Sequence, residues 1–459
     1  MTGLFSAELV REGRARPLWP RPRFSGDLAD AVALAAATLG SLVTAVLLEV
    51  SLGAALAIVA LMVAGVIVAR RGVMGVALLL TACLPWLVVF STVEPKLAET
   101  FTAGTTVVVL LVVAAPRDDG SRAAARLRLG MILFYVPVII GLARTPGSAQ
   151  FIEAAKYIVF PFTVLAVIAG TNRAALRQLS KVALVSGAIA ITANLLLGAA
   201  GLNHSYYRAG DIQGLAGEHD LALLAGAVAA ASLGLGMRWA PAAVVGTIAT
   251  IATGVRSTLP GLVLIVLARM SEAGARVRSL VIVTVTVTAL LVSGVANVVV
   301  RRYVYAQQTG QFSSFAALGS GRGGLYLTAI HGWWVAPPWE WMVGTGLRSI
   351  ERMEKRATGS PTVAQNDVIQ VGVESGLIAL LGLILIWSAL IPRARSKLPL
   401  LILLPFSLFN GALEYGAPLV ITLLLTENSA EPSEELAAEA ERVGPPPAVA
   451  EGHAADPHV

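Results

Sequence analysis

Residues 73–92, VMGVALLLTACLPWLVVFST, run for twenty positions without a charged side chain. A helix rises about 1.5 Å per residue, so twenty apolar residues match the ~30 Å hydrocarbon thickness of a bilayer. Comparable runs centre on 28–50, 53–69, 101–116, 129–143, 155–171 and 181–200 on either side of it. Six more follow at 220–237, 239–253, 257–268, 279–300, 367–391 and 398–425. The last is interrupted by Gly411, Tyr415, Gly416 and Pro418 and reads as two shorter pieces. The expected fold is therefore all-α, a polytopic integral membrane helical bundle with 12–14 transmembrane helices and one large outer loop containing short helices. Composition agrees, since 56% of the 459 residues are hydrophobic, 14% are charged and the mean hydropathy is +0.75, which excludes an ordinary soluble globule. The single cysteine, Cys83, excludes a disulfide framework or a cysteine-ligated cluster within the chain.

The net charge of +6 comes from 29 arginines and 5 lysines against 28 acids. Their positions argue against nucleic acid, because they lie mainly between apolar runs. With the N-terminus in the cytoplasm, 21 of the 34 basic residues fall in inner segments, among them Arg11, Arg14, Arg16, Arg21 and Arg23 of the first 27 residues. The short outer loops and their flanks carry Lys96, Arg144, Lys156, Arg208 and Arg256. That asymmetry is the one the positive-inside rule requires. The chain then divides into a cytoplasmic basic arm (1–27), a transmembrane bundle (28–300), an extracytoplasmic loop carrying part of the site (301–366), C-terminal transmembrane helices (367–426) and a disordered acidic tail (427–459). No cleavable signal peptide is evident, and the arm precedes a signal-anchor helix. The loop 301–366 has a charge of +4 and holds Trp333, Trp334, Trp339 and Trp341, a cationic aromatic cap suited to an anionic amphiphile. The tail, rich in Glu, Ala and Pro, cannot bury a core.

Four segments could carry chemistry. In Gly254-Val255-Arg256-Ser257, Arg256 is a charge between two apolar runs, read either as a side chain snorkelling to the interface or as an anion ligand whose planar fork fits two phosphate oxygens. The short segment 203–220 packs Tyr206, Tyr207, Arg208, His219 and Asp220 together, either as a solvated connector or as the sugar- and phosphate-contacting wall of a cleft. Gly319-Ser320-Gly321-Arg322-Gly323-Gly324 fits the dinucleotide glycine pattern literally but lacks the surrounding strand and helix, so that match is rejected; its glycines still let backbone amides approach an anion beside Arg322. The following residues 325–334 predict a short amphipathic helix at the interface, with His331 on its surface or at a site. Finally, Asn366 and Asp367 cap the helix that begins there, while Asn366, Gln370 and Glu374, four apart, share one helix face leading into the membrane. A polar stripe at that depth points to a cavity.

The order of these features resembles the O-antigen ligase and O-antigen polymerase family of polyprenyl-diphosphate-saccharide glycosyltransferases. The resemblance covers roughly residues 150–390 and rests on the run Arg208 to Leu221, Gly254-Val255-Arg256-Ser257, Gly321-Arg322, Gly344-Thr345-Gly346, and Gln365-Asn366-Asp367 before Glu374-Ser375-Gly376-Leu377. Gln365 stands where ligases of the family place a histidine, which removes that proposed base here. The resemblance implies transfer of a glycan from a polyprenyl-diphosphate-linked oligosaccharide to a glycan or surface-lipid acceptor, on the extracytoplasmic side of the inner or plasma membrane. It implies diphosphate binding by Arg256, Arg322, Arg208 and Arg348, and saccharide contacts from Tyr206, Tyr207, His219, Asp220, Trp333 and Asn366. Asp367, Glu374 and His331 are the candidate catalytic residues, with His219 also open as the base. No cofactor, no metal and no nucleic acid is expected; the partners are the lipid-linked substrate, its acceptor and membrane lipids. A lipid-linked-saccharide flippase or other transporter is the rival, since it too needs many helices and a cationic vestibule. The peptidoglycan polymerases of the rod-shape and division family share the general design but not this motif order.

Overall fold

The computed structural model describes residues 71–90, 95–117, 120–199, 207–208, 211–212, 218–255, 257–272, 322–358 and 365–428. The basic arm, the runs 28–50, 53–69 and 279–300, Tyr206, Arg256, residues 301–321 and the tail from 429 lie outside the described residues. Within them the chain is helical, apart from a two-residue antiparallel ribbon of β1 (Tyr207–Arg208) and β2 (Asp211–Ile212). The helices are α1 (Val73–Phe90), α2 (Pro95–Ala114), α3 (Arg122–Arg144), α4 (Ser148–Ala169), α5 (Arg173–Ala199), α6 (Glu218–Leu235), α7 (Ala240–Ala252) and α8 (Thr258–Glu272). They continue with α9 (Arg322–Trp334), α10 (Pro338–Val343), α11 (Ser349–Thr358), α12 (Asp367–Arg393), α13 (Leu398–Asn410) and α14 (Gly416–Leu425).

Six of these, α1, α3, α4, α5, α6 and α12, are long and apolar enough to cross a membrane; the apolar parts of α2, α7, α8, α13 and α14 are shorter. The run 398–425 is indeed two pieces. Gly411 is left-handed at φ 72°, a short 3-10 turn covers Ala412–Glu414, and α14 begins at Gly416. Backbone ties the two bases of this hairpin together, with the Ser396 N–H donating to the Thr426 carbonyl at 2.8 Å. At ~1.5 Å per residue neither arm reaches 30 Å, so α13 and α14 form a hairpin that enters and leaves at one end of the bundle. All ten residues of α14 are buried. A helix apolar on every side belongs at the centre of a bundle, and α14 packs against α1, α2, α4, α5 and α6. Glu427 and Asn428, which composition assigns to the tail, are buried as well. The Glu427 carboxylate lies 3.0 Å from Arg173 and 3.6 Å from Arg395, so the packed fold includes two residues past the expected boundary.

The other pairs meet through small residues, as helices do where lipid removes the hydrophobic incentive to associate. A side chain on Gly130 of α3 would press on the Gly382 carbonyl of α12 at 2.9 Å, and one on Gly246 of α7 on the Ala225 carbonyl of α6 at 2.7 Å. Helix α12 is not continuous. Gly376, at φ 80° and ψ 178°, splits it into 367–375 and 377–393. Helices α9 and α11 dock on the first half through a second small core of Ala329, Ile350 and Val373, flanked by Trp333, Met353 and Ile369. The described part of the large loop is therefore a helical cap seated on a half-helix. Among these helices is the one expected at 325–334.

Candidate functional site

The break at Gly376 releases backbone carbonyls that an unbroken helix would satisfy. The turn Gly344-Thr345-Gly346 takes them up: Thr345 N–H donates to the Val373 carbonyl at 2.9 Å, Thr345 Oγ1 to the same oxygen at 2.9 Å, and Gly346 N–H to the Glu374 carbonyl at 3.0 Å. Arg144, at the end of α3, holds this turn from outside. It donates to the Gly344 carbonyl at 3.0 Å, pairs with Glu340 at 2.7 Å and lies 4.2 Å over the Trp339 ring. Cap, broken helix and α3 are thus one assembly.

Beneath it, Gln370 and Glu374 of the polar face read from the sequence are buried, while Asn366 is half-buried. The stripe is met by side chains of α4 and of the hairpin tip. Gln370 Nε2 donates to Glu153 Oε1 at 3.0 Å and Glu414 Oε1 at 2.8 Å, while Lys156 Nζ reaches Glu153 Oε2 at 3.0 Å and Glu414 Oε2 at 2.6 Å. Two carboxylates are therefore bridged on one edge by an ammonium and on the other by an amide, a closed ring linking α4, the first half of α12 and the tip. One helical turn further along α12, Glu374 accepts from the Tyr157 hydroxyl at 3.3 Å and from the backbone amides of Arg348 and Ile350. Arg348 itself sits at φ 58° and pairs with Glu351. Gln365 is likewise left-handed at φ 51°, so two residues of the motif positions adopt a backbone that L residues seldom choose.

Asp367 is engaged on both oxygens. Ser407 donates to Oδ2 at 2.5 Å, Ala412 N–H to Oδ2 at 2.9 Å and Leu413 N–H to Oδ1 at 3.1 Å. Its carboxylate caps the tip of the hairpin. Asn366 is the expected cap, accepting from Ile369 N–H at 3.0 Å, and its amide also donates to the Leu408 carbonyl at 2.6 Å. At the other side of the tip, His219 opens α6 with its ring 6.2 Å from that of Tyr415, and the adjacent Asp220 is buried. Ser257 bonds to Asn410, which brings the chain beside Arg256 to the hairpin tip.

The structure thus gathers Asp367, Glu374, Asn366, His219 and Asp220 around the tip, with the backbone of Arg348 on Glu374. Trp333 lies over the first half of α12, near Gly372, and its Nε1 donates to the Glu340 carbonyl at 3.2 Å. His331 is exposed on α9, away from the buried ring. Arg208 and Tyr207 form β1 and Arg322 opens α9; nothing more of their side chains is described, and Tyr206 and Arg256 lie outside the described residues. Glu153, Lys156, Tyr157, Glu414 and Ser407 were not singled out from sequence. A usable signal existed: Glu153 and Lys156, three apart at the mouth of an apolar run, form a charged pair that a bilayer penalises unless it is matched. Lys156, counted there as an outer-flank cation, is a half-buried member of the ring. No family model matches the chain, and no curated protein does either.

Proposed function

We propose that the protein is a membrane glycosyltransferase that polymerises or ligates polyprenyl-diphosphate-linked oligosaccharides into a cell-surface polysaccharide. One observation carries this reading: the cationic, tryptophan-rich cap is docked on the half-helix that bears Gln370 and Glu374, so a surface suited to an anionic amphiphile adjoins a buried set of acids. In the reaction an acceptor hydroxyl forms a new C–O bond at the anomeric carbon, the bond from that carbon to the diphosphate breaks, and the hydroxyl proton passes to a base. Arg256 and Arg322, with Arg208 and Arg348, hold the departing diphosphate, whose growing charge is the main electrostatic demand of the step. His219, beside the tip, takes the proton, and Glu374 supplies negative charge against the cationic transition state. The base of the hairpin gathers Arg173 and Arg395 on Glu427, which supports that end as cytoplasmic and the cap as extracytoplasmic in the inner or plasma membrane.

A second reading, a carrier for lipid-linked saccharides, is favoured by the broken α12 and the hairpin with its polar tip, because discontinuous helices commonly frame transport sites. Reconstituting the purified protein with a candidate lipid-linked oligosaccharide and sizing the products decides between them. Longer or newly attached glycan supports the enzyme. Relocated but chemically unchanged substrate supports the carrier.

A further inference from the structure

A groove of about 450 Å³ lies between α5 and the start of α7 and shares no lining residue with the ring or the cap. Ile189 and Leu196 form one wall, Pro241 and Val245 the other, and Arg238 and Trp239 close one end. Both α5 wall residues are exposed, Ile189 at 43% and Leu196 at 65%. The one hydroxyl in the lining, on Thr192, already donates to the Ala188 carbonyl at 2.7 Å, so the groove is apolar along most of its length and offers a ligand no free hydroxyl donor there. Its polar end is different. Arg238 is exposed and makes no ion pair with any described residue. The turn that carries it follows α6, whose last residues pack by Ser396 and Leu398 at the hairpin base.

An apolar channel ended by an exposed guanidinium, unpaired among the described residues, and an indole has the chemistry of a lipid with a negatively charged head: acyl chain along the helices, phosphate on the arginine, indole at the interface. The volume falls in the ~300–1,000 Å³ range of small-molecule pockets. We propose that this groove is a binding site for an anionic phospholipid of the surrounding membrane, with Arg238 as its phosphate ligand. The proposal is independent of the glycosyl-transfer reading, because no residue of the groove belongs to the cap, the ring or the hairpin tip.

The test uses the full chain, purified in mild detergent, exposed to phosphatidylglycerol or phosphatidylcholine, with retained lipid counted by native mass spectrometry. The wild type should retain phosphatidylglycerol about fivefold more strongly than phosphatidylcholine, the ratio one basic residue near a phosphate supplies. Arg238→Gln should abolish that preference. Ala193→Phe, which fills the channel, should lower retention of both lipids, with size-exclusion profile and thermal unfolding confirming that both variants fold. Equal retention of the two lipids by the wild type, an unchanged preference in Arg238→Gln, or full retention by a folded Ala193→Phe overturns the proposal. So does recovery of a polyprenyl phosphate in place of phospholipid from the purified protein.

Discussion

Gly344 and Gly376 lie so close together that neither has room for a side chain: a Cβ on Gly376 would stand 2.5 Å from the Gly344 nitrogen. Both are at positive φ with ψ near 180°, a backbone region open in practice to glycine alone. The pair fixes where the cap turn meets the broken helix. Gly376→Ala should therefore lose about 1–3 kcal/mol from the backbone alone, and more from overlap with the turn, read as a drop in unfolding temperature together with faster proteolysis of the cap. Gly104→Ala, on a helix with open space around it, is the control and should be neutral or mildly stabilising, by up to about 1 kcal/mol. Equal behaviour of the two would contradict the packing described.

The ring of Glu153, Lys156, Gln370 and Glu414 makes a stability prediction. Removing one member of a buried ion pair leaves an uncompensated charge and costs about 3–5 kcal/mol. Lys156→Met should show a loss of that order by thermal unfolding. Adding Glu153→Gln relieves one of the stranded carboxylates, so the double variant should be more stable than Lys156→Met. Additive losses would mean that the side chains do not act together.

Glu354, on α11 in the cap, is buried, and that burial raises its pKa above the ordinary carboxylate value, with the nearby Thr328 hydroxyl opposing the shift. An acid whose folded pKa is raised binds its proton more tightly when folded. Stability at this group is therefore greatest at and below the unfolded value near ~4.3 and falls as pH rises through the raised folded value. Glu354→Gln removes the titration while keeping the shape. Its unfolding temperature relative to wild type should rise between pH 4.5 and pH 8, and a constant difference across that range would refute the assignment.

The helices were legible in the sequence because a bilayer demands long apolar runs, and α1, α3, α4, α5, α6 and α12 answer that demand. The interruption at Gly411–Pro418 was legible for the same reason. What the sequence hid was the third dimension. Gln370 and Glu374 announce a polar face, yet their partners Glu153, Glu414 and Tyr157 lie far along the chain, and only tertiary packing joins them. Asp367 looked like an acid available for chemistry. Its three donors come from residues 407–413, whose backbone turns inward only because the hairpin folds back. The break at Gly376 was hidden too, since a glycine inside an apolar helix more often serves packing than a left-handed turn.

If the transferase reading holds, Arg256→Ala and Arg322→Ala should each insert normally and lose activity by about 10²–10³-fold, the usual scale for removing a group that stabilises developing charge. Lysine at either position should also be poor, since it forfeits the paired donors of guanidinium. Turnover should survive a chelator; activity that vanishes with chelator and returns with a divalent ion would end the metal-independent mechanism. Near-normal glycan from either alanine variant would remove that arginine from the site.

Tyr157 and Glu374 provide the most local test of the buried acid. Tyr157→Phe deletes the hydroxyl that donates to Glu374 at 3.3 Å but leaves the charge of the carboxylate in place. Glu374→Gln removes the charge, and any donor its amide turns toward the Arg348 or Ile350 N–H is a mismatch of about 1–3 kcal/mol that unfolding measurements will register. If the carboxylate acts through its charge, turnover should fall by at least about 100-fold in Glu374→Gln and only about tenfold in Tyr157→Phe. If it serves only to seat the cap, the two variants should lose activity in proportion to their lost stability, and lowering the assay temperature should restore both. The ratio of the two activities at matched folded fraction therefore separates a group that meets the substrate's charge from one that merely holds the roof over it.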